Sequence, residues 1–160
     1  MNKQDIYDLL RSRGVEHTVV EHPPAFTVED IHAIGLPHEE WGAKNLFLRD
    51  HKKRNYYLLT MQEDKPMNLK ELQAKIGCSR ISFASEGDLM DFLGLTAGSV
   101  TPFGLLNDET RAVKFYLDSC FVGEHIWVHP NENTASVYLR TEDLLQIIRE
   151  HGNETELMDL

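Results

Sequence analysis

Two strand-like runs, residues 43–49 and 56–61, stand only six residues apart, and those six are polar: Asp50-His51-Lys52-Lys53-Arg54-Asn55. So short a connection joins antiparallel neighbours, because parallel strands need a crossover of a dozen or more residues. The middle of the chain therefore reads as a β-hairpin with a basic tip. Cap and turn signals divide the rest. Asn2 is placed to cap a helix with Ile6, Leu9 and Leu10 on one face, ended by Gly14. Residues 15–22 alternate in places and read as a strand. His22-Pro23-Pro24 breaks it, since proline removes a backbone donor and constrains its predecessor. Thr27-Val28-Glu29-Asp30 has the form of a capping box opening a short helix that stops at Gly35.

Beyond the hairpin, Asn68 caps a helix with Leu69, Leu72 and Ile76 on one side, and Ser85-Glu86-Gly87-Asp88 caps another with Leu89, Phe92 and Leu93 inward. Residues 95–109 form a loop rich in turn formers. Strands follow at 112–117, 125–129 and 136–139, and Thr141 caps a last helix to about Glu150. Strands and helices mix without strict alternation, so the expected class is α+β. It would be a single domain, a mixed and mostly antiparallel sheet flanked by helices, over residues 1–152. Residues 153–160 are expected to be a frayed tail.

Charge adds a constraint. The 160 residues carry a net charge of −10, which argues against coating nucleic acid or an anionic membrane non-specifically. Residues 44–80, however, hold nine of the 16 Lys and Arg against four acids (Asp50, Glu63, Asp64, Glu71), a local balance of +5 that leaves −15 elsewhere. There is no signal-peptide pattern and no apolar run near the ~20 residues of a membrane span. Cys78 and Cys120 lie far apart and outside any C-x-x-C, so free thiols in a cytoplasmic protein are expected, although spacing leaves a lone disulfide open.

Familiar nucleophile and metal signatures fail. Ser99 lies in Gly98-Ser99-Val100-Thr101-Pro102, which lacks the second glycine of a nucleophile elbow. No phosphate-binding glycine loop is present. His38-Glu39-Glu40 begins like a zinc motif, but Gly42 stands where the second ligand belongs. His125 and His129 have a spacing that could share a metal, yet no third ligand is near, and neither metal nor cofactor is expected.

Three features remain. Lys44-Asn45 stands at the mouth of an apolar strand, either a solvated strand-end lysine or an ammonium held at a cleft edge for a phosphate or carboxylate. Gly98-Ser99-Val100-Thr101-Pro102-Phe103-Gly104 is an ordinary turn or a loop whose backbone approaches a ligand closely. His129, after an apolar strand and before Pro130-Asn131-Glu132-Asn133-Thr134-Ala135, is a loop histidine or one that orients substrate or water. In order, and together with His22-Pro23-Pro24-Ala25-Phe26-Thr27, these segments resemble the YbaK/prolyl-tRNA synthetase editing-domain superfamily, and within it the free-standing ProX (PrdX-type) members that deacylate alanyl-tRNA(Pro).

The resemblance, which covers nearly the whole chain, implies a hydrolase for the ester joining a wrong amino acid to the terminal adenosine of tRNA(Pro). It implies that Lys44 holds the tRNA end and that Asn45 and Thr27 help to shape the site. The loop from Gly98 to Pro102, with Ser99, Val100, Thr101 and Phe103, would place the aminoacyl group and water, and His129 would be a pocket residue. The ribose 2′-hydroxyl of the substrate would activate the water. Implied partners are the 3′ acceptor end of mischarged tRNA(Pro), with prolyl-tRNA synthetase or an elongation factor beside it; Lys52, Lys53 and Arg54 are candidate stem contacts. Removal of cysteine or another small residue, a non-catalytic binder of an aminoacyl or tRNA end, and a domain broken from a synthetase are the competing readings. The ordinary start, the capped helices and the lack of synthetase motifs favour a stand-alone protein.

Overall fold

The computed structural model describes residues 1–160, the side chain of Val28 excepted. Helix α1 (Lys3–Ser12) starts where Asn2 and Asp5 accept each other's backbone N–H at 2.9 and 2.8 Å. It turns Ile6 and Leu10 into the core. Strand β1 (His17–Glu21) leads through the two prolines to α2 (Val28–Ile34), whose N-terminus is closed by the same reciprocal pairing of Thr27 and Asp30. Gly35 ends α2 in the left-handed region at φ 69°, where a Cβ would be strained.

The hairpin consists of β2 (Ala43–Asp50) and β3 (Tyr56–Gln62), antiparallel from Ala43 opposite Gln62 to Arg49 opposite Tyr56. Helix α3 (Leu69–Ile76), strand β4 (Ile81–Phe83) and helix α4 (Glu86–Leu93) follow, with Asn68 and Ser85 as caps. Two short 3₁₀ turns, Ala97–Ser99 and Pro102–Asn107, lead to β5 (Val113–Asp118). Strands β6 (His125–Val128) and β7 (Ala135–Arg140), helix α5 (Thr141–His151) and strand β8 (Thr155–Met158) complete the chain.

The strands form two sheets. One runs β1-β7-β6 and is antiparallel; the other runs β4-β2-β3-β5-β8, antiparallel around the hairpin and parallel from β3 to β8. The main core fills the space between them with Phe47, Leu58, Phe115, Ile126 and Val137, closed by residues of α1, α4 and α5. A second core, with Leu48, Leu59, Met61, Leu72 and Tyr116, lies on the other face of the larger sheet. β3 is thus covered on both sides, which explains its unbroken run of buried residues from Tyr56 to Met61. A single parallel bridge, Gly42 to Trp127, joins the sheets where β2 begins.

Two expectations are corrected. The tail does not fray: β8 pairs parallel with β5, and Leu160 is buried. Its anchor is Asp118, whose buried carboxylate accepts Lys65 Nζ at 2.8 Å and the N–H of Gln62 at 3.1 Å and of Leu160 at 3.4 Å. Burial pushes the Asp118 carboxyl up, but the bonds from Lys65 and from the N–H groups of Gln62 and Cys120 outweigh it and hold it low. Thr141 is not a cap. β7 runs straight into α5 with Arg140 as the N-cap, and the Thr141 hydroxyl is buried without a partner among the described residues.

Candidate active site

The bridge between the sheets forms the floor of an open cleft enclosing about 460 Å³, part of it open to solvent. Ile31, Ile34 and Leu36, from α2 and the turn after it, make one apolar wall; Trp127 and Val128 of β6 make the other. Trp127 is held there by its indole N–H, which donates to Pro37 O at 2.9 Å. Between the walls stand five polar side chains: His22, Asn45, Glu63, His129 and Ser136.

Each is oriented by neighbours. His129 follows β6, and the chain reverses at once through Pro130 and Asn131, the latter at φ 66°, a conformation asparagine tolerates. The reversal brings Ala135 O to 2.8 Å from His129 Nδ1. A carbonyl only accepts, so Nδ1 carries the proton and Nε2 is the acceptor. Burial, with a smaller contribution from His22, holds the His129 pKa below its usual value, so the ring is neutral at pH 7. His22 follows β1; its Nδ1 donates to Pro23 O at 2.8 Å, and its Nε2 accepts the Ser136 hydroxyl at 2.9 Å. The two imidazoles are 6.2 Å apart between centroids. Asn45 Oδ1 accepts from Thr60 Oγ1 at 2.5 Å, which leaves its amide NH₂ as the donor for a ligand.

Strand alternation separates Lys44 from Asn45. Asn45 faces the cleft, whereas Lys44 shares the other face with Leu46 and Leu48, and its ammonium donates to Lys65 O. It still lies close enough to Glu63 to pull down that carboxyl's pKa. The 98–103 loop does not line the cleft; it stands behind it. Thr101 is wholly buried, and its hydroxyl donates to His129 O at 2.6 Å, fixing the strand end that carries the histidine. Gly98 has an ordinary φ, and what it needs is space: a Cβ would lie 2.8 Å from Phe26 and 3.2 Å from Asn133 Nδ2. Asn133 in turn clamps Ala25 through bonds of 2.9 and 3.2 Å to its backbone. Ser99 and Pro102 are buried, and Val100 packs against the main core.

Of the six substrate contacts expected from the motifs, Asn45 lines the cleft, whereas Thr27, Ser99, Val100, Thr101 and Phe103 do not. Phe103 is a core residue with no exposed surface, Thr101 is spent on the His129 backbone, and the Thr27 hydroxyl caps α2. Lys52, Lys53 and Arg54 are exposed at the hairpin tip, at the opposite end of β2 from the cleft. At ~3.3 Å per residue, Asn45 and the tip are about 23 Å apart. His125 does not join His129; it stacks on Tyr138 outside the cleft, 4.8 Å between centroids. Glu63 and Ser136 escaped the motif reading because neither lies in a recognisable spacing, and His22 was visible only as the residue before two prolines. Cys78 and Cys120 are free thiols; burial, with Asp118 beside it, pushes Cys120 up to about 11, far from a thiolate at pH 7.

Fold and cleft together define the class: a single-domain α+β protein with an open cleft between apolar walls and a ring of oriented polar side chains. A structure solved as a candidate trans-editing enzyme for prolyl tRNA synthetase has this fold, with a TM-score of 0.74 at 21% identity over 99% of this chain and 95% of that one. Residues 22–147 match the aminoacyl-tRNA editing domain, a span that contains every side chain of the cleft. The prolyl-tRNA editing protein ProX of Acetoanaerobium sticklandii is 42% identical over 159 residues, 99% of this chain and 97% of its own length. Prolyl-tRNA synthetase associated domain-containing protein 1 of Mus musculus is 34% identical over 98% of this chain and 95% of its own. The chain belongs to the aminoacyl-tRNA editing domain family.

Proposed function

We propose that this protein is a trans-editing deacylase of mischarged tRNA(Pro), with alanyl-tRNA(Pro) as its substrate. The observation that supports it is the coincidence of the cleft with the editing domain, in a chain that matches a prolyl-tRNA editing protein along nearly its whole length. The aminoacyl ester is already activated, so orientation and stabilisation of the developing oxyanion suffice for catalysis. The Asn45 amide is the donor for the carbonyl, and neutral His129 offers Nε2 to the ribose or the attacking water. Lys44 does not line the cleft, but it lies near Glu63 and has two ammonium N–H groups left beyond the one on Lys65 O, which it offers to the terminal phosphate. The ribose 2′-hydroxyl activates the water. The 98–102 loop acts through His129 and Ala25, which it holds in place. Ile31 and Ile34 narrow the pocket to a methyl-sized side chain and exclude the proline ring. The enzyme works in the cytoplasm on tRNA released from prolyl-tRNA synthetase or handed to an elongation factor.

Deacylation of alanyl-, cysteinyl-, seryl- and prolyl-tRNA(Pro), measured side by side, tests this reading. The alanyl ester is expected to go fastest and the prolyl ester to survive. Lys44→Ala is expected to abolish activity with the fold intact, and full activity in that variant would remove the role given to Lys44. A second route is favoured by the 2.9 Å bond from Ser136 to His22, an arrangement able to activate a hydroxyl. Alanyl-tRNA ending in 2′-deoxyadenosine separates the two: it resists hydrolysis if the ribose does the work, and is cleaved if the serine–histidine pair does.

A further inference from the structure

One polar group in the cleft has no part in the chemistry above. Glu63 is the first residue after β3, and its N–H donates to Gly42 O at 3.0 Å, which extends the hairpin ladder by one step and sets the carboxylate against the start of β2. The backbone leaves room for it. A Cβ on residue 42 would overlap Glu63 Oε2, so glycine is what lets the carboxylate occupy this position. Lys44 and His32 face it, and each is bonded elsewhere: Lys44 to Lys65 O, and His32 to Glu39 at 3.3 Å. Among the described residues, the carboxylate accepts no hydrogen bond and enters no ion pair. A half-buried carboxylate without a donor is unfavourable, and a ligand that supplies one relieves it.

The ligand proposed for this cleft has such a donor. An aminoacyl ester carries an α-ammonium one carbon from the carbonyl that is cleaved, so a pocket holding the side chain and the ester holds the ammonium as well. We propose that Glu63 receives this α-ammonium and so makes the cleft selective for aminoacyl esters with a free amine over N-acylated ones. The inference rests on the reading of the cleft as the site of the aminoacyl end.

The charged and titratable groups facing Glu63 are Asp64 on its own turn, Glu39 on the turn after α2, His32 on α2 and Lys44 on β2, with His22 and His129 in the same cleft. Burial, then Asp64 and Glu39, push the Glu63 carboxyl above its usual range, against a smaller pull from His32 and Lys44. The charged form is therefore disfavoured in the folded protein, and neutral glutamine at this position should raise stability at pH 7 while the preference for the free amine is lost.

The test uses non-hydrolysable 3′-alanylamino-3′-deoxyadenosine and its N-acetyl form as inhibitors of the full-length protein. Wild type is expected to bind the free amine about 10- to 100-fold more tightly than the acetylated form. Glu63→Gln is expected to melt at or above the wild-type temperature, to keep its affinity for the acetylated form and to lose the preference. Glu63→Asp recovers part of it. Gly42→Ala, which displaces the carboxylate while keeping its charge, weakens it. In wild type the preference also falls as pH drops through the Glu63 pKa, and in Glu63→Gln it does not. A glutamine variant that keeps the full preference, or a wild type that binds both forms equally, overturns the assignment to Glu63 and leaves the cleft reading intact. A wild type that binds neither form overturns both.

Discussion

His129 gains its properties from its surroundings. Its ring is buried behind β6, and its one strong partner, Ala135 O, accepts from Nδ1 whether or not the ring is charged, so burial dominates and the folded-state pKa lies below the unfolded value of 6.5. The sign follows from linkage. The unfolded chain takes up the proton first on acidification, so this contribution to stability is complete above pH 6.5 and is lost as pH falls toward the folded pKa. Urea unfolding between about pH 7.5 and about pH 5 should show wild type losing more stability than His129→Asn, which keeps a donor near Nδ1. Parallel curves would show that the ring titrates alike in both states. Lys44, Gly98 and His129 were legible as motif residues, but their contacts were not. Whether a strand residue faces a cleft or the opposite core depends on what covers each face, and that is why Asn45 enters the cleft and Lys44 does not line it.

At the scale of elements, α2 and β8 carry most of what local patterns did not show. The capping box of α2 was plain, and so was its stop at Gly35, because caps and left-handed glycines act within a few residues. That its Ile31 and Ile34 form a pocket wall depends on the prolines carrying the chain back over β6. Replacing both with alanine should open the pocket toward the proline ring and raise hydrolysis of prolyl-tRNA(Pro) relative to alanyl-tRNA(Pro) about 10-fold or more. An unchanged ratio would mean that another surface sets the size limit. β8 was missed because four exposed-looking residues after a helix stop have no pattern of their own. They become a strand by pairing with the free edge of β5 and by the bond from Leu160 to Asp118. Truncation after Glu154 keeps Asn153 on Asp108 but removes that strand. The expected cost is about 3 kcal/mol, a fall in Tm of about 6–12 °C by calorimetry. An unchanged Tm would show β8 to be only draped on the sheet.

Over the whole molecule, the uneven charge finds a place in the fold. The cleft lies at one end of the hairpin and Lys52, Lys53 and Arg54 at the other, so the basic tip is too far away to touch the ligand in the cleft. We propose it instead as a contact for phosphates of the acceptor stem. Neutralising the three residues should weaken tRNA binding and flatten its salt dependence, by up to about 3 in the log–log slope if all three meet phosphates. Cleavage of a minimal aminoacyl-adenosine should be unchanged, and equal losses on both substrates would dismiss the tip as a contact. The sequence by itself determined the hairpin, four of the five expected helix caps, the α+β class and the family resemblance, because each rests on residues within a few positions of one another or on motif order. Only the tertiary structure decided which faces are covered. It joined the two sheets at Gly42 and Trp127, gathered His22, Asn45, Glu63, His129 and Ser136 from five separate segments around that bridge, and put the 98–103 loop behind it. The physical reason is that burial is a property of the packed chain: a side chain's partners and pKa are set by neighbours from distant segments that only folding brings close.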